Sequence, residues 1–231
     1  MAGQRGRPRV SARSLSGLGT RTDILTAAAE LFCTRGFSAS STYAICELAG
    51  VSQASMYHYF ANKHEIALQL LLDIVRPSVE FAQLLDARSD PPFAQLWALS
   101  AFDSRLLASR PRNTGLLYVM PEIADAPFDE FRAERDFLIG VYRSQVRRCG
   151  VDMPTELDEV TAMVVALIES VGLLRRNDDG LDCDSVAIRV ADTAVRLAGI
   201  RDIHLDDLRR RATHVRDDIQ AILRLDIAHG D

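Results

Sequence analysis

"GFSASSTYAICELAGVSQASMYHYFANKHEI", Gly36 to Ile66, reads as two short helices joined at a tight corner. The first runs from about Thr42 to Ala49, with Ser40 or Ser41 as its cap. The second runs from about Gln53 to Tyr59, capped by Ser52. Between them stands Gly50-Val51-Ser52. The glycine relieves the sharp turn, Val51 plugs the gap between the helices, and the second helix is left free to enter a groove. This is a helix-turn-helix layout. The stretch also holds Lys63, the one lysine of the chain, just after a Tyr57-His58-Tyr59-Phe60 cluster.

The surrounding composition fits a module that meets an anion. The chain has 231 residues, 48% hydrophobic and 26% charged, and a formal charge of −5. Residues 1–64 carry seven Arg/Lys against three Asp/Glu, and the rest carry 20 against 29, so a basic first part precedes an acidic body. The composition favours helix formers and has few alternating β-rich runs, which predicts a soluble all-α fold. Cys33, Cys46, Cys149 and Cys183 are far apart, with no metal-ligand spacing, and read as free thiols in a reducing cytosol. The sequence calls for no metal and no cofactor. There is no signal-peptide pattern, and the most apolar run, Val160 to Leu174, is too short to span a bilayer. The expected location is cytoplasmic, with no membrane partner.

The spacing predicts three parts: a flexible basic arm (1–19), a helix-turn-helix domain (20–64) and a larger helical domain (65–231). The first helix of the small domain places Ile24, Ala27, Ala28, Leu31 and Phe32 on one face, with Thr20 or Thr22 able to cap it and Gly36 stopping it. Beyond Asn62 long amphipathic helices are expected over 63–87 (kinked at Pro77), 93–109, 128–149, 155–176, 184–198 and 205–227, with a shorter one near 114–119.

Residues 21–66 together resemble the DNA-binding segment of the TetR (tetracycline-repressor-like) family. The resemblance runs without gaps through Ala-x-x-Leu-Phe of the first helix, Gly36-Phe37, Ile45, Ala49-Gly50-Val51-Ser52, Tyr57, Phe60 and Lys63. It implies a ligand-responsive transcription regulator, binding an inverted-repeat operator as a dimer and released by a small apolar or amphipathic molecule. It also implies that the Lys63 ammonium opens a long fourth helix and meets a DNA phosphate. The candidate DNA-contacting residues are Arg5, Arg7, Ser41, Tyr43, Ser52, Gln53, Ala54, Ser55, Tyr57, His58 and Lys63. Gln53-Ala54 departs from the family's frequent Lys-Gly and His58-Tyr59 reverses its common Tyr-His order. Gln53 can pair bidentately with adenine, and Ser55 can reach a base edge or a phosphate. Tyr43 stands where Arg is common, its hydroxyl offering a phosphate contact. Tyr57 and Phe60, three apart, are expected to pack on the small domain's core. Arg5-Gly6-Arg7-Pro8 resembles an AT-hook core; an unspecific basic tail is the other reading.

In the larger domain, Val160 to Leu174 is apolar nearly all round, and the 184–198 helix has an alanine face and a valine-leucine face. Two faces need two partners, so helices 155–176 and 184–198 are expected to bury one face in their own core and the other against a second copy. Asp103 and Glu169 fall inside apolar stripes. An internal pair with Arg105 or Arg143 is one solution for Asp103. The other is an effector pocket lined by Trp97, Asp103, Tyr118, Met120, Phe131, Phe137 and Glu169. The sequence shows no nucleophile–base pair, no H-E-x-x-H and no phosphate-cradling glycine loop, which speaks against an enzyme. An apolar-ligand carrier or an enzyme without DNA binding are the competing functions.

Overall fold

Helix α1 (Thr20–Arg35) buries Ile24, Ala27, Ala28, Leu31 and Phe32, the face its periodicity marks out. The computed structural model describes residues 17–109, 111–124, 126–177, 180–200 and 205–229. Neither threonine caps α1: Gly19 holds the cap position with no side-chain bond, and Thr20 is already the first helical residue. Gly36 ends the helix with φ 89°, a conformation that a Cβ would strain.

Helix α2 (Thr42–Ala49) begins where Ser41 Oγ accepts the Ala44 N–H at 3.1 Å. It stops at Gly50, φ 68°, whose N–H and that of Val51 return to the carbonyls of Glu47 and Cys46. Helix α3 (Gln53–Tyr59) starts at Ser52, whose hydroxyl accepts the Ser55 N–H at 3.0 Å. Met56 and Phe60, four apart, turn inward and join Ile24 and Ile45 in the core of this unit, which runs to Ala67. Tyr57 does not join them: it is 52% exposed, because a buried face set by residues 56 and 60 rotates residue 57 outward.

Helix α4 (Lys63–Asp86) starts with two reciprocal bonds of the capping-box kind. The Glu65 N–H donates to Asn62 Oδ1 at 3.0 Å, and the Glu65 carboxylate accepts the Ala61 N–H. The helix remains continuous through Pro77.

The second unit, from Leu68 onward, is built around α5 (Pro92–Ser109), buried without interruption from Ala94 to Ser104. Short 3₁₀ segments follow at Pro111–Val119, Pro121–Ala124 and Ala126–Phe128. Then come α6 (Asp129–Arg148), α7 (Pro154–Glu169), α8 (Val171–Asn177), α9 (Cys183–Leu197) and α10 (Leu205–His229). Phe81 of α4 stacks on Phe102 of α5 with ring centroids 4.3 Å apart. Burying a ring of that size contributes roughly 1.5–3 kcal/mol. Among the described residues there is no strand.

One expectation for this unit needs correction, and one of the two faces expected of the 184–198 helix can be placed. The helix expected over 155–176 is two helices, broken at Ser170. Just after the break Gly172 lies against backbone: a Cβ there would stand 3.1 Å from the Gly115 carbonyl carbon and 3.3 Å from the Leu116 nitrogen. The alanine face of α9 (Ala187, Ala191, Ala194, Ala198) is buried within the chain, where α9 packs closely on α5. The last helix also finds its place. Leu205, Leu208, Ala212, Val215 and Ile219 of α10 are buried, and α10 packs on α5, so this helix covers the body of its own chain. Arg209 holds Asp192 of α9, which also accepts the indole N–H of Trp97 at 2.9 Å.

Candidate nucleic-acid interface and effector cavity

On α3, Gln53, Ala54, Tyr57 and His58 are all exposed, and their spacing of one and four residues gathers them on one face. Tyr43 at the start of α2 is 65% exposed. This face presents an amide, a phenol and an imidazole within two turns, the donor and acceptor types that read base edges and grip phosphates. Ser41 and Ser52 are exposed but occupied as helix caps. The Ser55 hydroxyl is 2.8 Å from that of Ser52, so these two serines hold each other at the start of the helix. Arg5 and Arg7 lie outside the described residues.

Lys63 is engaged within the small unit. Its ammonium donates to the carbonyls of Phe37 (3.1 Å), Ser40 (3.2 Å) and Ser38 (3.4 Å), and lies 4.5 Å from the centre of the Phe37 ring. Three N–H groups meet three carbonyls of the segment between α1 and α2. The loop between α1 and α2 is thereby tied to the first turn of α4. A compact ammonium with three rotatable donors suits three carbonyls converging on a point, whereas a planar guanidinium does not. That supplies a physical reason for a lysine here in a chain otherwise cationic through arginine.

The larger unit contains a cavity lined by Asp103 and Leu107 of α5, Tyr118, residues of α6 (Arg135, Leu138, Ile139, Tyr142) and residues of α7 (Val165, Ile168, Glu169). Its enclosed volume is about 20 Å³, room for roughly one water-sized group such as an ammonium. Asp103 is 6% exposed. It accepts Ser78 Oγ at 2.9 Å on one oxygen and the Tyr142 hydroxyl at 3.1 Å on the other. Burial pushes its carboxyl up to about 6, against the pull of those two bonds and with a smaller push from the Glu169 charge. Burial and the same carboxylate hold the Tyr142 phenol well above its usual range, so it remains a donor. Glu169 is paired with Arg135, which donates from Nε at 2.9 Å and from a terminal nitrogen at 2.7 Å.

Of the expected pocket, Asp103, Tyr118 and Glu169 come together here. The other four residues are placed differently. Trp97 is committed to Asp192. Phe137 is 45% exposed and faces a groove with Ala82, Gln83 and Gly140. Phe131 is fully buried with its ring 5.2 Å from that of Tyr118, and neither it nor Met120 lines the cavity. The expected arginine partners of Asp103 are engaged elsewhere, Arg105 with Asp184 and Arg143 with Asp158. Tyr142 and Arg135 are functional candidates that sequence reasoning missed. The buried series Phe131, Leu138, Tyr142, Val146 on α6 carried the signal for Tyr142. Burial also raises the Cys33 and Cys149 thiols to about 11 and about 12, which keeps both protonated and poorly nucleophilic.

A capped helix-turn-helix with an exposed polar second helix, followed by a larger helical unit, defines a class: helix-turn-helix DNA-binding regulators. Comparison with known proteins gives the family. Residues 24–70 match the model of bacterial regulatory proteins, tetR family. Over 53 residues the chain is 40% identical to the HTH-type transcriptional regulator UidR of Escherichia coli K12, an alignment covering 23% of this chain and 27% of that protein. The chain thus spans about a quarter of the length of the curated relatives it matches. The crystal structure of Mycobacterium smegmatis AmtR is 32% identical, covering 90% of this chain and 97% of that one with a TM-score of 0.75. PfmR of Thermus thermophilus, a TetR family transcriptional regulator, shares the fold at 22% identity and a TM-score of 0.64, over 75% of this chain and 97% of its own. The chain belongs to the tetR family of bacterial regulatory proteins, which are helix-turn-helix transcription regulators.

Proposed function

We propose that the chain represses transcription by binding an inverted-repeat duplex as a homodimer, and that a small molecule entering the cavity at Asp103 releases it. The observation that carries this reading is the α3 face, where Gln53, Ala54, Tyr57 and His58 stand exposed together. In this reading Gln53 reads a base edge, Tyr43, Tyr57 and His58 contact backbone phosphates, and Lys63 fixes the loop that positions them. The arm with Arg5 and Arg7 adds counterion release. The dimer is supported by apolar side chains left at least a third exposed: Met163 of α7, Leu173 and Leu174 of α8, and Ile188 and Leu197 of α9. Exposed apolar groups on neighbouring elements favour burial against a second copy. Two-fold symmetry then sets half-sites roughly 10–17 bp apart. No helix among the described residues is long and apolar enough to cross a membrane. We place the protein in the cytoplasm with its DNA and assign it no catalytic role. Footprinting on the DNA upstream of its own gene tests the reading. A protected inverted repeat supports it, and uniform weak binding to any duplex contradicts it.

A further inference from the structure

We propose that the cavity takes the head of a small alkylamine, its ammonium seated on Asp103 beside the Tyr118 and Tyr142 rings. This rests on the reading that the cavity is the effector site, and it adds the chemical class of the effector.

Asp103 is buried, and each of its oxygens receives one neutral hydroxyl, from Ser78 and from Tyr142. Among the described residues no arginine or lysine pairs with it, and the two arginines expected to do so, Arg105 and Arg143, hold other carboxylates. A carboxylate oxygen accepts more than one bond, so acceptor capacity remains. Glu169 lines the same space, and the Arg135 guanidinium answers its charge. Two carboxylates and one guanidinium leave the ionised cavity one negative charge in excess. An anionic ligand would meet an uncompensated carboxylate at low dielectric, whereas a cation would complete the pairing. A neutral alcohol could donate one bond there, but a charge-assisted bond is roughly twice as strong.

The walls narrow the class further. Tyrosine rings border the site, and ring faces attract an ammonium. The remaining lining, including Leu107, Leu138 and Ile168, is aliphatic and suits a short hydrocarbon body over a polyhydroxylated one. A wider cleft of about 320 Å³ between α6 and α7 shares Arg135, Ile139, Val165 and Glu169 with the cavity and can take the hydrocarbon chain. The Arg135–Glu169 pair borders both spaces, so an amine whose chain lies in the cleft and whose head reaches Asp103 lies beside it.

The test compares n-butylamine, n-butanol and n-butyrate, at equal millimolar concentration and neutral pH, on the full chain. Melting and calorimetry report binding, and anisotropy of the upstream duplex reports release. The expected result is that butylamine raises the melting temperature and dissociates the duplex, butanol acts at least about tenfold more weakly, and butyrate does neither. Asp103→Asn should lower butylamine affinity at least about tenfold while the duplex still binds. Val165 lines both spaces, so Val165→Trp obstructs them without altering Asp103 and should block the amine even where Asp103→Asn folds poorly. Equal action of butanol and butylamine overturns the proposal, as does unchanged butylamine binding in either folded variant. If no probe binds while the duplex is still recognised, the amine class falls and the regulator reading stands. Failure to recognise the duplex at all removes the regulator reading, whatever the melting curves show.

Discussion

Replacing Lys63 by methionine keeps most of the aliphatic stem and removes three hydrogen bonds and a cation–π contact together. The bonds to Phe37 and Ser40, at 3.1 and 3.2 Å, are well formed, and the one to Ser38, at 3.4 Å, is weak. Charged donors contribute about 1.5–3 kcal/mol in buried settings, but Lys63 is only part-buried and water competes. About 1 kcal/mol for each good bond and roughly 0.5–1 for the Phe37 ring give a loss on the order of 2–3 kcal/mol. The loss should fall on the small unit, whose loop carbonyls return to solvent. Urea unfolding followed by amide exchange across residues 37–41 measures it, with faster exchange there as the local signature. The salt dependence of DNA binding supplies the opposing result. A lysine on a phosphate predicts a salt slope shallower by about 1, with little change in stability. The clamp predicts an unchanged slope and a less stable domain. Lys63→Arg should recover only part of the loss, because a planar fork cannot reach all three carbonyls. Wild-type unfolding of Lys63→Met together with a reduced slope would refute the clamp.

The remaining predictions concern the larger unit. The folded Asp103 carboxyl, at about 6, lies above its unfolded value of 3.8, so the folded chain binds more protons between them. Its contribution to stability is therefore greatest below about pH 4 and falls as pH rises to about 6, by on the order of 2–3 kcal/mol. Asp103→Asn should remove that decline, which the pH dependence of unfolding midpoints for the two chains will reveal; parallel profiles would argue against it. Gly172→Ala should destabilise by about 1–3 kcal/mol in thermal unfolding, since the atoms it meets are backbone and cannot rotate away. Leu174→Glu should convert the dimer to monomer in sedimentation and weaken operator binding with it; an unchanged dimer would place the interface elsewhere.

The small domain was legible because its signals are local. Gly50, the serine caps and the spacing of Ile24 to Phe32 act within a turn or two of where they stand. The same locality explains the misreadings. In a helix of seven residues one position decides which side faces inward, and Met56 with Phe60 won over Tyr57 with Phe60. The partners of Lys63 are backbone carbonyls 23 to 26 residues away, which no side-chain pattern marks. For the cavity, Asp103 and Glu169 stood out as carboxylates in apolar stripes, and both line it. Aromatic residues gave no comparable guide, because Trp97, Phe131 and Phe137 fill core or surface according to packing. Beside the break at Ser170, Gly172 meets Gly115, a contact between segments far apart in the chain that no local pattern marks.

The central claim is that the α3 face reads a specific duplex, and anisotropy titrations of wild type and Gln53→Ala test it most directly. Each protein is titrated against the upstream inverted repeat and a scrambled duplex as salt is raised from about 50 to 200 mM. The account predicts that wild type prefers the repeat, that both affinities fall steeply with salt, and that Gln53→Ala loses about 1–3 kcal/mol on the repeat alone. Equal affinity for the two duplexes, or an equal loss on both from Gln53→Ala, would contradict it.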